Sequence, residues 1–387
     1  MGLIAGAQAG WADRFDALHA AASERSGGLA DFGDSVYHEG LRVLLDALDA
    51  DPPPSPMRVG AAENLIVSAL ASRLHTEAQW QANPACKARE IPRPLIVIGV
   101  PRTGTTALHN LLSQDPQFQG IEKWLCAAPL VRPPREEWEA HPQYRAVAAQ
   151  TEQMAAIAPE VMQAHGVLAD EVDECLVPMA QSFCCNWFPS QADLPVYDAW
   201  FGEADEAPSF RRYKDVLRLV GMNDDRPWLL KNPSHVFGID ALLAVFPDAC
   251  VVQTHRNPVS SLASLVNLLG NIMVAYTGED IDRPRRLARE TAFWAEAVRR
   301  TLRAQERQPD RFVNVLQPDI RRDPIGVVRS IYDAFGFSLS PLAEQRMRAW
   351  SAANAQSAGE GHQYERISDE SAIREAFAEY MERFGFT

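Results

Sequence analysis

The chain has 387 residues, of which 47% are hydrophobic, and its formal net charge is −14. This length can bury a large core, and because single cores stop growing at roughly 250–300 residues, we expect one large domain with appended helices, or two lobes. The acidic balance disfavours nucleic-acid binding, which depends on a basic surface that releases counterions. It does not exclude a small anionic ligand held by a local cluster of basic groups.

The six cysteines form no Cys-x-x-Cys pair and no spacing typical of a zinc site. We do not expect the N-terminal residues to be a secretion signal, and no apolar run approaches the roughly 20 residues that a membrane span needs. We therefore expect a cytoplasmic protein with reduced thiols and without an integral membrane segment.

The first part of the chain has a helical pattern. Apolar residues recur at helical spacing between residues 12 and 50, and again from Leu65 to Leu74, with a proline-rich break at Asp51–Pro56 between the two. Residues 1–90 are predicted to be a helical region packed on the core. Residues 91–387 are predicted to be an α/β domain with a helical insert at about 120–226, whose many aromatic residues either pack in the core or line an apolar ligand pocket.

Strands alternate with helices in the second part. Leu95–Val100 is a short apolar run rich in β-branched residues, which is typical of a strand covered on both faces. A helix is predicted at 105–113, and further strands at 228–231, 249–254 and 311–316. The alternation predicts an α/β fold with a P-loop-like parallel sheet flanked by helices.

The sharpest motif is the loop after the first strand, which reads Gly-Val-Pro-Arg-Thr-Gly-Thr-Thr from Gly99 to Thr106. It has the spacing of a P-loop, except that Thr105 stands where the lysine is expected. Backbone N–H groups at a helix N-terminus form a cradle for a phosphate-like anion. The predicted ligands of the anion lie in this loop: Arg102, Thr103, Gly104, Thr105 and Thr106.

The metal-binding half of an ATPase site is missing from the pattern. Phosphoryl-transfer P-loops combine their lysine with Mg²⁺ and an aspartate at the end of a later strand. Here the strand at 249–254 is followed by His255 and Arg256. A loop for a phosphate-like anion that works without a metal is therefore predicted.

A second anion site is predicted where that strand ends. Asn257 is a good helix N-cap and Pro258 a good first helical residue. Ser264 lies about two turns along the helix, near the side of its start. Arg256 and Ser264 could together hold a further phosphate through a charge-assisted bond and a hydroxyl.

With these motifs the sequence resembles the sulfotransferases that use 3′-phosphoadenosine 5′-phosphosulfate (PAPS), in particular the bacterial branch with longer chains. The resemblance rests on the segments Val100–Thr106, Trp228–His235 and Phe246–Ser264, with weaker likenesses at Asp323–Phe337 and near the C-terminus. It covers the chain from about residue 95 to its end.

The resemblance implies a role for each motif. The loop Arg102–Thr106 would hold the 5′-phosphosulfate, and Arg256 with Ser264 the 3′-phosphate. Lys231 and Arg102 would be catalytic. His235 would be the catalytic base, although the family's cytosolic members carry Lys-x-His and this chain is two residues longer between the two positions. His362 and Tyr364 would belong to the segment that closes over the nucleotide.

Several alternatives stay open at this level. A carboxylate of the acidic segment Asp170–Glu174 could be the base instead of His235, and His109 is expected to be a packed helix residue. The expected reaction is sulfonyl transfer to a hydroxyl or amine of a small, apolar or amphipathic acceptor. The rival interpretation is a P-loop nucleotide-binding or kinase-like protein without sulfotransfer activity. Whether the chain forms a homo-oligomer is left open.

Overall fold

A computed structural model gives the architecture of the chain and describes residues 10–53, 55–157, 159, 162, 166–354 and 370–387. Within these residues lies a parallel sheet with the strand order β2-β1-β3-β4. Its strands are β1 Leu95–Gly99, β2 Leu229–Lys231, β3 Cys250–His255 and β4 Phe312–Leu316. All of them fall on predicted strands, so the predicted α/β fold is confirmed.

Helices surround this sheet. Those before β2 are α1 Phe15–Arg25, α2 Tyr37–Ala50, α3 Pro56–Ala82, α4 Thr105–Leu112, α5 Lys123–Ala127, α6 Pro142–Ile157, α7 Leu176–Ala180, α8 Trp187–Gln191, α9 Pro195–Glu203 and α10 Ala207–Val220. Those after it are α11 Ile239–Val245, α12 Pro258–Thr277, α13 Arg283–Arg307, α14 Gln317–Arg322, α15 Pro324–Phe335, α16 Pro341–Asn354, α17 Glu370–Ala376 and α18 Ala378–Phe384.

Side chains of β1 alternate between two hydrophobic cores, one on each face of the sheet. Ile96 and Ile98 belong to the larger core, which also takes in the N-terminal helices through residues such as Leu70. Leu95 and Val97 belong to the smaller core, shared with α4, α15 and α16. A strand buried on both faces reads as a continuous apolar run, which explains why the sequence revealed β1. The division of the chain at about residue 90 stays a prediction.

The strand order places β1 between β2 and β3, with Leu95 opposite both Leu229 and Cys250. The connection from β1 therefore leads to one edge of the sheet, at β2, and the connection from β3 leads to the other edge, at β4. Ligands of open α/β sheets bind at such a switch point, in the crevice outside the carboxyl ends of the strands. The loop Gly99–Thr106, predicted to bind phosphate and called the phosphate loop below, follows β1, and Arg256 follows β3, so both predicted anion sites lie at this crevice.

Helix α12 is long and apolar enough to span a membrane by length and composition, so the expectation that the chain has no such apolar run was wrong. The helix packs on α13 and buries Leu262 and Val266 in the larger core. A core helix of an α/β domain can have the same length and apolar composition, and we assign α12 to the core.

Candidate active site

The loop between β1 and α4 has a positive φ angle at three positions. Gly99, Arg102 and Gly104 have φ angles of 149°, 68° and 95°. A Cβ on Gly99 would lie 2.6 Å from Thr254 Oγ1, so only glycine fits against β3. Arg102 is not glycine, and a non-glycine residue at positive φ marks a backbone that its surroundings hold in place.

Thr103 fixes the loop from within. Its hydroxyl donates to the Val100 carbonyl at 2.6 Å and lies 2.6 Å from Thr254 Oγ1, and the side chain is fully buried. The side chain of Thr103, predicted to contact the anion, therefore faces the protein interior, which leaves its backbone N–H for a ligand. Gly104 is the N-cap of α4, so the N–H groups of the following turn point out of the helix start.

The turn after β3, where a second anion site is predicted, joins this loop directly. Arg102 Nε donates to Ser264 Oγ at 3.0 Å, and Arg256 Nη1 donates to the Arg102 carbonyl at 3.1 Å. Asn257 caps α12 as predicted, because its side chain accepts from the Val259 N–H at 3.0 Å. The structure thus brings together Arg102, Arg256 and Ser264, which are up to 162 positions apart in sequence. Two guanidinium groups and a hydroxyl suit an anion with several oxygens.

The C-terminal residues lie beside this turn. Asn257 Nδ2 donates to the Thr387 carbonyl at 3.2 Å, and the Tyr380 hydroxyl lies 3.2 Å from His255 Nδ1. The ring of Phe384 stacks on His255 with centroids 3.7 Å apart. Burial lowers the pKa of His255 to about 4, so this ring is a neutral packing element. His362 and Tyr364 lie outside the described residues, and their predicted roles stay predictions.

An ion pair lies at the end of β2. Lys231 Nζ pairs with Glu174 Oε1 and also donates to Thr106 Oγ1 of the loop at 3.3 Å. The Lys231 side chain is 3% exposed, whereas that of Glu174 is 14% exposed. The Cys175 N–H donates to the Lys231 carbonyl at 3.0 Å, which holds the Glu174 segment against the strand. A carboxylate and an ammonium group therefore meet beside the phosphate loop.

Asp170 and Glu171, at the start of the acidic segment, have other partners. Asp170 pairs with Arg135 at 3.2 Å in an exposed contact. Glu171 is exposed and accepts from the Leu168 N–H at 2.7 Å. Glu174, the last carboxylate of this segment, pairs with Lys231. The sequence supplied the segment as a candidate, but the choice among its carboxylates needed the fold.

His235 is enclosed rather than presented to the crevice. It is 1% exposed, and its ring packs against those of Phe210 and Tyr213, with centroids 5.2 and 6.1 Å away. Among the described residues neither ring nitrogen has a hydrogen-bond partner. Burial lowers the pKa of His235 to about 3. This geometry gives the prediction of His235 as the base no support. His109 is likewise buried, with its pKa lowered to about 3 by burial and by Lys231.

Helix α12 carries an apolar stripe away from Ser264. Leu268, Ile272 and Ala275 follow Ser264 at helical spacing on one face. All three are partly exposed, and neither Leu268 nor Ile272 packs into the two described cores. Val274 and Tyr276, near the end of the helix, are 44% and 54% exposed. An apolar surface therefore runs from the turn at Arg256–Ser264 toward the end of α12.

Residues 94–341 match the model of a protein family described as the sulfotransferase family. The crystal structure of sulfotransferase STF1 from Mycobacterium tuberculosis H37Rv is similar to the chain, with a TM-score of 0.84 and 35% identity, covering 94% of this chain and 98% of that one. Sulfotransferase STF9 from Mycobacterium avium gives a TM-score of 0.82 and 27% identity, covering 96% of this chain and 97% of that one.

A third similarity is to the omega-hydroxy-beta-dihydromenaquinone-9 sulfotransferase Stf3 of Mycobacterium bovis. The identity is 25% over 307 residues, which are 76% of this chain and 75% of the relative, and the Mycobacterium tuberculosis protein of that name gives the same values. The family match at 94–341 contains the loop, Lys231, Arg256 and Ser264, together with Glu174.

Proposed function

The chain belongs to the sulfotransferase family, and from that premise we propose that it moves a sulfonyl group from PAPS to the hydroxyl of an apolar or amphipathic small molecule. One observation carries the proposal. The phosphate loop, the Arg256–Ser264 turn and the Lys231–Glu174 pair meet at the carboxyl ends of β1, β3 and β2.

The basic cluster suits a donor with two separate phosphate groups. Arg102 and the N–H groups that begin α4 would bind the 5′-phosphosulfate. Arg256 and Ser264 would bind the 3′-phosphate, the group that distinguishes this donor from ATP. The contacts of Arg102 with Ser264 and Arg256 support this assignment, because they link the two half-sites in one rigid arrangement. Lys231, held against Thr106, would face the bridging oxygen between phosphorus and sulfur.

Glu174 is the base in this proposal. The acceptor oxygen attacks sulfur, the new O–S bond forms, and the bond from sulfur to the bridging oxygen breaks. Glu174 takes the acceptor proton, and adenosine 3′,5′-bisphosphate leaves with its charge stabilised by Lys231 and Arg102. Position supports Glu174 over His235, because Glu174 lies against Lys231 while His235 is enclosed by aromatic rings.

The acceptor would lie along the apolar stripe of α12. Leu268, Ile272 and Ala275 offer about 11 Å of apolar surface between their ends, since a helix rises about 1.5 Å per residue. Such a stripe suits a hydrocarbon chain or a fused-ring system that places its hydroxyl near Glu174. The printed name of the Mycobacterium bovis relative, a hydroxylated menaquinone sulfotransferase, supports a lipid-like alcohol.

The loop and the end of β3 differ from those of a metal-dependent kinase. Thr105 replaces the lysine that a kinase loop uses, and β3 ends at His255 and is followed by Arg256. Within the described residues no group of three His, Cys, Asp or Glu side chains is placed to hold a metal ion. We also propose a cytoplasmic location, because all six cysteines are free thiols.

Incubation with ³⁵S-labelled PAPS and a panel of apolar alcohols, phenols and quinols tests the proposal. We expect labelled sulfate esters in the presence of EDTA, and none from an Arg256→Ala, Ser264→Ala double variant at the same donor concentration. Release of phosphate from ATP that requires Mg²⁺, with no labelled ester, would favour the kinase-like alternative.

A further inference from the structure

Ser234 stands out in the segment that follows β2. Between Trp228 and Ile239 it is the only residue that is not buried. It lies three residues beyond Lys231, on a short 3₁₀ turn at Pro233–Val236. The Asn232 side chain fixes this turn by accepting from the Ser234 N–H at 3.0 Å. Ser234 is therefore the partly exposed residue of an otherwise buried segment that begins at the carboxyl edge of the sheet, three positions along the chain from the residue that we assign to the leaving oxygen.

The Ser234 hydroxyl is held by a chain of hydrogen bonds with only one allowed direction. Arg289 Nη2 donates to Asn186 Oδ1 at 2.7 Å, and Asn186 Nδ2 lies 3.4 Å from Ser234 Oγ. A guanidinium group can only donate, so the amide oxygen of Asn186 must face Arg289 and its NH₂ group must face Ser234. Ser234 is consequently the acceptor in its bond with Asn186.

Arg289 is itself firmly placed. It forms a two-pronged pair with Asp198 at 3.1 and 2.7 Å, and a further bond to Glu290 at 2.9 Å. Asn186 is 5% exposed, so its amide group has little room to turn over. Such a network orients its last member more strictly than a single bond could.

This direction leaves the proton of the Ser234 hydroxyl for another partner. Among the residues that the structure describes, no oxygen accepts from it. We propose that Ser234 donates a hydrogen bond to the attacking oxygen of the acceptor, and that Asn186 and Arg289 are positioning residues for it. This inference rests on the proposed function and deepens it, because it selects the chemical class of the acceptor.

The selection follows from counting lone pairs. The oxygen of an alcohol or phenol has two, so it can accept from Ser234 with one and attack sulfur with the other, while its proton goes to Glu174. The nitrogen of a neutral amine has one lone pair, and attack on sulfur uses it. The bond from Ser234 therefore favours hydroxyl acceptors and gives no help to amines.

The experiment measures sulfonyl transfer from PAPS to β-naphthol and to β-naphthylamine, a matched pair that is uncharged at neutral pH. We expect Ser234→Ala to lower kcat/KM for naphthol about 10- to 100-fold, in line with the loss of a hydrogen bond to an oxygen that develops charge. The value for naphthylamine should change less than about 3-fold, because no bond to nitrogen is lost. Ser234→Thr keeps a hydroxyl and should restore most of the naphthol activity.

A second variant tests the direction of the chain. In Asn186→Asp the carboxylate can only accept, so the Ser234 proton would turn toward it and be lost to the acceptor. We expect Asn186→Asp to reproduce the naphthol defect of Ser234→Ala. In the Ser234→Ala background it should add nothing, whereas an effect of the new charge alone would persist there. Adenosine 3′,5′-bisphosphate affinity, measured for each variant, reports intact folding.

Equal loss for both acceptors in Ser234→Ala, or additive losses in the double variant, would overturn the assignment of Ser234. A wild-type protein that transfers no sulfonyl group to any acceptor would instead contradict the proposed function.

Discussion

Replacing Glu174 with glutamine separates the two candidate bases. The substitution keeps the size and shape of the side chain but removes its ability to take a proton at neutral pH. If Glu174 is the base, turnover should fall by roughly 10²–10⁴, the usual contribution of a positioned general base. His235→Leu should keep turnover within a few-fold of wild type, because the ring is buried and makes no hydrogen bond within the described residues.

Whereas turnover falls in Glu174→Gln, the affinity for adenosine 3′,5′-bisphosphate should rise. Glu174 places a negative charge against Lys231, which is 3% exposed and faces the loop. Unit charges about 7 Å apart interact by about 2 kcal/mol at an effective dielectric constant of about 20. Removing the carboxylate should therefore tighten adenosine 3′,5′-bisphosphate, by at most about 30-fold, and the bisphosphate should never bind more weakly.

The assay is steady-state sulfonyl transfer with saturating PAPS, beside a calorimetric titration of each variant with the bisphosphate. Glu171→Gln is the matched control, since it makes the same chemical change at an exposed position of the same acidic segment. Wild-type turnover in Glu174→Gln, or a loss of 10²-fold or more in His235→Leu with unchanged bisphosphate affinity, would refute the assignment of Glu174.

Three further predictions concern donor, acceptor and stability. Arg256→Ala should weaken adenosine 3′,5′-bisphosphate far more than adenosine 5′-phosphate in a binding titration, since only the former carries the group assigned to Arg256. Ile272→Asp should raise KM for a long-chain alcohol at least about 10-fold, because it places a charge on the apolar stripe. Burial raises the pKa of Glu206 from 4.5 to about 8, so the folded protein binds this proton more tightly than the unfolded chain does. The free energy of unfolding should then fall as pH rises through that interval, and Glu206→Gln should recover up to about 5 kcal/mol at pH 9 in urea unfolding.

Each of the three has its own contrary result. If Arg256→Ala weakens the binding of both nucleotides equally, Arg256 does not bind the 3′-phosphate. An unchanged KM in Ile272→Asp would place the acceptor elsewhere, and Val36→Asp, at an exposed position in the N-terminal region, controls for general effects of a new charge. Glu203→Gln, at an exposed position nearby, should leave the pH dependence of the free energy of unfolding intact. If Glu206→Gln shows the same pH dependence as wild type, the buried Glu206 carboxyl is not its cause.

The sequence predicted the fold and most of the residues that meet at the crevice, for identifiable reasons. β1 is buried on both faces and so appears as a continuous apolar run. Gly99 and Gly104 mark backbone conformations that other side chains rarely adopt, and Asn257 with Pro258 marks a helix start. Local chemistry of this kind is readable from neighbouring residues alone.

The sequence was less informative where a role depends on packing between distant segments. His235 follows Lys231 closely, as a catalytic histidine would, yet it is buried and its ring packs against that of Phe210. Glu174 gains its position from a contact with Lys231, 57 positions away, and its neighbours in the acidic segment look the same in sequence. Asn186 and Arg289 gave no signal at all, because an amide and a guanidinium acquire meaning only through their partners.

The most direct test of the central claim is a calorimetric titration of the protein with adenosine 3′,5′-bisphosphate, beside ADP and ATP with Mg²⁺. The arrangement of Arg102, Arg256 and Ser264 predicts binding of the bisphosphate that is unaffected by EDTA and much tighter than that of ADP. Binding of only ADP or ATP, or of none of the three, would contradict it.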